Sequence, residues 1–167
     1  MKQKALARPA GAFCFITVSY LCICLILNNM SDAVNTTTAP KPVGLYPHAR
    51  RVGNLLFLSG IGPRNPEDDG IPGLKRSPAG NFTEFDFEAQ VHSVFKNVRA
   101  VLEASGARWE DLVDVTVFLT NMERDFTTYN RIWAQYFSEN PPCRTTVGID
   151  SLPTPIAIEL KCIAVLP

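Results

Sequence analysis

The chain has 167 residues, enough for one domain with a single core, and its 16 Lys and Arg balance its 16 Asp and Glu. That neutrality, with no Lys/Arg-rich run and no acidic tail, argues against a nucleic-acid partner. Two histidines, His48 and His92, and five scattered cysteines offer no ligand spacing for zinc or iron, so no metal site is expected.

The N-terminus comes first. Lys2, Lys4 and Arg8 precede an uncharged apolar run over residues 12–27. It reads as a signal peptide or signal anchor, although it falls short of the ~20 residues that span a bilayer comfortably. Met30 followed by Ser31-Asp32-Ala33 also reads as the ordinary start of a soluble protein, and an alternative start is slightly favoured. Residues 1–29 are therefore expected to be an apolar leader or alternative-start segment, and 30–41 a flexible Asn/Thr/Ala/Pro linker. Residues 42–167 form the expected globular domain. Any membrane contact would run through residues 12–27 alone. The expected compartment is the cytoplasm, or a secreted or membrane-anchored state if the leader is real. Asn35-Thr36-Thr37 and Asn81-Phe82-Thr83 are glycosylation sequons of a kind that arises often by chance.

Within the domain, a short strand is expected over 48–52. Leu55-Leu56-Phe57-Leu58, ended by Ser59-Gly60, reads as a strand buried on both faces. Residues 61–84 are rich in Gly, Pro, Asp and Asn and predict a long loop of the functional or mobile kind. Phe87, Val91, Val94, Phe95, Val98, Val101 and Leu102 recur at helical spacing, and Ser105-Gly106 supplies the stop. Val113, Val115, Val117 and Leu119 alternate with Asp114, Thr116, Phe118 and Thr120 as a period-two strand. A second helix is expected from about Asp125 to Glu139, ended by Pro141-Pro142. Two C-terminal strands close the order β-β-α-β-α-β-β. Cys143 and Cys162, within them, read as small buried hydrophobes.

The C-terminal pair carries two electrostatic oddities. Arg144 stands at the start of one strand, and Glu159 lies inside the apolar run Ile158 to Val165. A charge in a buried strand is costly unless it is paired or used. A hairpin would bring the two together beside a bound carboxylate. The plainer readings are a solvated Arg144, and a Glu159 paired with Lys161 or with a charge of another subunit. Both faces of the last strand are substantially apolar, which predicts self-association through the sheet face that the two helices leave uncovered.

Read together, several stretches are similar to one family. They are Gly44-Leu45-Tyr46, Leu58-Ser59-Gly60-Ile61-Gly62-Pro63, the helix end from Asn97 to Ala107, and Asp111 to Leu119. Asp125-Phe126-Thr127-Thr128-Tyr129-Asn130, Pro142-Cys143-Arg144-Thr145-Thr146-Val147 and Ile158 to Val165 complete them. Each is weak alone, but in this order and spacing the domain resembles the YjgF/Rid family of reactive-intermediate deaminases. Tyr46 to Arg51, Arg64-Asn65-Pro66, Arg144 to Val147 and Leu152 to Pro155 look most like its 2-aminomuconate deaminase branch.

The resemblance implies a chorismate-mutase-like α+β fold, a mixed sheet with two helices on one face. It implies a homotrimer whose sheets form a barrel, with active sites between subunits. It also implies hydrolysis of enamine or imine acids to a 2-oxo acid and ammonia, without a cofactor. Arg144 matches the position that grips the substrate carboxylate, and Glu159 the position that orders water and moves protons. Tyr46, Gly60 and Asn130 match positions that line the cleft. Thr146 replaces a cysteine found in some members, which removes thiol chemistry there. A distal carboxylate on the substrate would want a further cation or donor, for which His48, Arg50, Arg51 and Arg64 compete. The competing functions are a broader 2-aminoacrylate or 2-iminopropionate deaminase and a non-catalytic, chaperone-like ligand-binding module. An endonuclease is weaker still, because a neutral chain lacks a phosphate track.

Overall fold

The computed structural model describes residues 31–79 and 82–167. The leader and the Asn81 sequon lie outside them. Among the described residues there are eight strands and two helices. The strands are β1 (Ser31–Val34), β2 (Ala49–Val52), β3 (Leu55–Leu58), β4 (Lys75–Arg76), β5 (Phe82–Glu84), β6 (Leu112–Leu119), β7 (Cys143–Gly148) and β8 (Ile158–Val165). The helices are α1 (Phe87–Ala104) and α2 (Met122–Tyr136), with a 3-10 turn at Trp109–Asp111. Among the described residues no helix is long and apolar enough to cross a membrane.

Six strands form one mixed sheet in the order β1-β2-β3-β8-β6-β7. Both helices pack on one face of it, which is the expected α+β layering. The alternation along β6 holds from Val115 onward: Val115, Val117 and Leu119 are buried, while Thr116 and Phe118 are half-buried on the other face. Val113, expected on the buried stripe, is instead exposed and Leu112 is buried, because the β6–β8 register shifts between Leu112 and Asp114. Burying a Val or Leu side chain of this kind contributes ~1.5–3 kcal/mol.

Local chemistry explains the helix limits. Asp86 caps α1 by accepting from the Ala89 amide at 3.0 Å. At the other end Gly106 takes a positive φ of 76°, and the Ala107 and Gly106 amides bond back to Leu102 and Glu103. This left-handed cap favours glycine. Helix α2 begins earlier than expected because Asn121 caps it, accepting from the Arg124 amide. Phe95 centres an aromatic cluster with Trp109, Tyr129, Trp133, Tyr136 and Phe137 that locks the helices and the 3-10 turn together.

Five expectations are corrected. The first four residues of the expected linker after Met30 form β1, paired antiparallel to β2. The loop over 61–84 contains the β4–β5 pair. Strand β3 is not buried on both faces: Leu56 and Leu58 are in the core, whereas Leu55 and Phe57 are each 37% exposed, because the helices cover only one face. Finally, β7 and β8 are not a hairpin. Strand β7 runs parallel to β6, and β8 lies on the far side of β6. Cys143 is exposed on edge strand β7 rather than buried, while Cys162 is buried, and both are free thiols.

Candidate active site

Strand β8 and the turn after β3 build one half of the site. The Ile61 amide donates to Leu160 O at 2.8 Å and the Leu160 amide donates back at 2.9 Å, so residues 60–62 extend the sheet beside Glu159. Helix α1 pins this turn from below. Asn97 Nδ2 donates to Gly62 O (2.9 Å) and Arg64 O (2.8 Å), and Ser93 Oγ donates to Pro63 O (2.7 Å). Gln90, fully buried on the same helix, accepts from the Ala157 amide at 2.8 Å and fixes the entry to β8. Residues missed from sequence, Gln90, Ser93 and Asn97, thus hold the site in place. Their signal was a run of polar side chains on the buried side of an amphipathic helix.

Above this frame opens a cavity of about 550 Å³, into which Tyr46, Gly60 and Glu159 project. Three of the expected site residues are therefore together. A Cβ at Gly60 would collide with Glu159 Oε1, so the carboxylate rests directly against the Gly60 backbone. Glu159 makes no hydrogen bond or ion pair with any described residue. Burial raises its pKa above the ordinary carboxylate range. The plain reading in which it pairs with Lys161 does not hold in this chain. A half-buried carboxyl with a raised pKa and no partner, in a cleft, is a candidate proton-transfer group.

Arg144 and Asn130 lie elsewhere. Arg144 is in register with Val115 and, beyond it, Cys162, and so faces the helices. Its guanidinium lies over the rings of Trp133 (5.0 Å) and Tyr129 (5.6 Å). No carboxylate pairs with it among the described residues. Beside it, Tyr129 Oη and Thr146 Oγ1 are buried without partners. Burial raises the phenol pKa of Tyr129, and Arg144 opposes that shift. Asn130 follows Tyr129 on α2 and is half-buried.

Glu159 points from the opposite face of the sheet, two strands across and three residues along. Strand geometry puts the two Cα atoms ~14 Å apart. One protomer therefore cannot close Arg144 on Glu159, and the expected hairpin clamp is corrected. Among the described residues no group of three or more His, Cys, Asp or Glu could hold a metal.

A two-helix, six-strand α+β domain, with a carboxylate in an open cleft and an unpaired guanidinium on its edge strand, defines a small protein built around a small-molecule site. Residues 36–166 match the family model described as Endoribonuclease L-PSP. The chain belongs to this family, the YjgF/Rid family that its motifs resemble.

Among its relatives is a RutC family protein of Pyrococcus horikoshii, 36% identical over 135 residues that cover 81% of this chain and 98% of that protein. The 2-iminobutanoate/2-iminopropanoate deaminase of Dermatophagoides farinae is 36% identical over 134 residues, covering 80% and 94%. The crystal structure of E. coli TdcF with bound serine superposes with a TM-score of 0.69 at 29% identity, covering 81% of this chain and 99% of that one.

Proposed function

We propose that this protein is a hydrolytic deaminase that converts an enamine or imine acid, 2-aminomuconate foremost, to the 2-oxo acid and ammonia. The observation that carries the reading is Glu159: partnerless, with a pKa raised by burial, and set against Gly60 in a cavity of substrate size. The deaminase named in the mite relative and the serine in the E. coli structure support a small amino-acid-derived ligand. The Tyr46 to Arg51 and Leu152 to Pro155 stretches support the 2-aminomuconate branch.

Arg144 would hold the substrate carboxylate through two parallel hydrogen bonds. The enamine takes a proton from solvent at carbon and becomes an iminium. Water adds to C2 while the Glu159 carboxylate takes the proton it sheds, giving a carbinolamine. Glu159 then returns that proton to the amine, the C–N bond breaks, and ammonia leaves as the hydroxyl gives its proton back to solvent and becomes the 2-oxo group. No electrons leave or enter. Gly60 and Tyr46 would orient the substrate, and positioning supplies much of the acceleration.

Because Arg144 and Glu159 face opposite ways in one protomer, the site is completed between subunits of a homotrimer. The open sheet face supports this, with Val52, Leu55 and Phe57 each more than a third exposed. So do the unpaired guanidinium and the two orphan hydroxyls at the sheet edge. Free Cys143 and Cys162 suit a reducing compartment, and we assign the activity to the cytoplasm.

The relatives' names favour a second reading, a general 2-iminopropanoate deaminase. Ammonia release from freshly generated 2-aminomuconate and from 2-iminopropanoate decides between them. Faster turnover of 2-aminomuconate supports the first. Turnover of neither, with carboxylates still bound, makes the chain a binding module.

A further inference from the structure

The cavity holds more positive charge than one carboxylate needs. His48, Arg50, Arg64 and Lys161 all line it, and the structure sorts them by what each already holds. Arg64 donates to Asp69 Oδ1 at 2.5 Å and to Lys41 O at 2.7 Å, so its guanidinium is spent on tying its loop to the segment before β2. His48 is used at both nitrogens. The Thr36 amide donates to Nδ1, which leaves Nε2–H to donate to Pro40 O at 3.0 Å. Both ring nitrogens are thereby taken up, and the ring braces the cavity wall. Arg51 lies outside the lining and donates to Gly53 O.

Two cations are left. Arg50 makes one bond, to the neutral Ser31 Oγ. Lys161 makes none among the described residues. Lys161 also forms no ion pair with Glu159, although it stands two residues along the same face and lines the same cavity. Its ammonium is therefore open to a ligand there.

We propose that Lys161 is the specificity residue of this site, receiving a second carboxylate at the far end of the substrate, with Arg50 adding positive charge from across Phe57. Residues i and i+2 on one face stand ~6.6 Å apart. That span is comparable with the distance from the reacting carbon of a six-carbon dicarboxylate to its distal carboxylate. Arg50 and Phe57 are register partners, and Phe57 in turn pairs with Ile163, the next residue after Lys161 on that face of β8. Phe57 thus forms an apolar floor under the substrate's unsaturated carbon chain, flanked by the two cations. The substrate class is an enamine or imine acid that is doubly, not singly, negative. This inference rests on the deaminase reading for the identity of the reaction but not for the binding preference.

The test compares muconate with sorbate, which have the same six-carbon diene and differ only in the distal carboxylate. Calorimetry on the full chain measures both ligands with the wild type, Lys161→Met, which keeps the stem, and Lys161→Arg. The wild type should favour muconate, Lys161→Met should lose about tenfold to a hundredfold of that preference, and Lys161→Arg should keep most of it. The ratio of kcat/KM for 2-aminomuconate over 2-iminopropanoate should fall in parallel, mainly through KM. A muconate preference that is absent in the wild type, or unchanged in Lys161→Met, overturns the proposal. A Lys161-dependent preference in a protein that deaminates neither substrate sustains it and removes the deaminase reading. Turnover without such a preference does the reverse.

Discussion

Replacing Gly60 with alanine is a small change with a large expected consequence. The new methyl would occupy the space of Glu159 Oε1. Gly60 does not adopt a positive φ, so alanine is compatible with its backbone and costs no conformational strain there. The atom in the way is the free end of a side chain rather than a backbone atom, so the fold can yield by turning the carboxylate aside. Stability should change by less than about 1 kcal/mol, since Gly→Ala at a compatible position tends to stabilise by about 0.4–1 kcal/mol. Catalysis should not be so tolerant. Displacing a proton-transfer group by the order of an ångström costs about a hundredfold, or about 2.7 kcal/mol of barrier. Steady-state ammonia release at saturating substrate, set beside thermal unfolding of the same preparation, separates the two effects. A kcat within threefold of wild type, in a stably folded Gly60→Ala protein, would refute the placement of Glu159 as the proton-transfer group.

Further outcomes follow from the same geometry. Glu159→Gln should lower kcat by about a hundredfold to ten-thousandfold and abolish the loss of rate seen as wild-type Glu159 protonates at acid pH. Its effect on stability has the opposite sign. Because the folded-state pKa is raised, the wild type is destabilised as pH rises from the unfolded-state value through the raised one. Glu159→Gln should therefore be the more stable protein at neutral pH, and the difference should vanish in acid, as denaturant melts across pH will show. Arg64→Ala should weaken turnover of mono- and dicarboxylate substrates alike, since it removes a loop brace to Asp69 and Lys41 rather than a ligand contact. Asn97→Ala should cost about 1–3 kcal/mol of stability, because Gly62 O and Arg64 O lose their donor.

Much of this architecture is written in short-range pattern. The helical repeat from Phe87 to Leu102 and the alternation of Val115, Val117 and Leu119 each declare one element and its buried face. Strand order is not local information. Strands consecutive in the chain usually neighbour one another, which made β7 and β8 look like a hairpin. Here β8 is inserted between β3 and β6, and no residue of the Ile149 to Ala157 connection signals it. Strand β1 was illegible because Ser31-Asp32-Ala33-Val34 is a polar edge whose pairing comes from β2. Leu55 to Leu58 is apolar throughout, so its sequence could not reveal that Leu55 and Phe57 stay open in a protomer.

The site divides in the same way. Tyr46, Gly60 and Glu159 could be matched by motif and do share a cavity. Lys161 is distinguished from Arg50, Arg51, Arg64 and His48 only by what each one bonds, which no sequence displays.

The central claim is that Arg144 of one subunit completes the Glu159 cavity of another. The direct measurement is to mix folded, inactive Arg144→Gln with folded, inactive Glu159→Gln, exchange their subunits, and assay ammonia release. A shared site predicts recovery to about a quarter of wild-type activity, the chance that a given interface draws its intact Arg144 and its intact Glu159 from the two different parents. Mixed oligomers that form and stay inactive would contradict it.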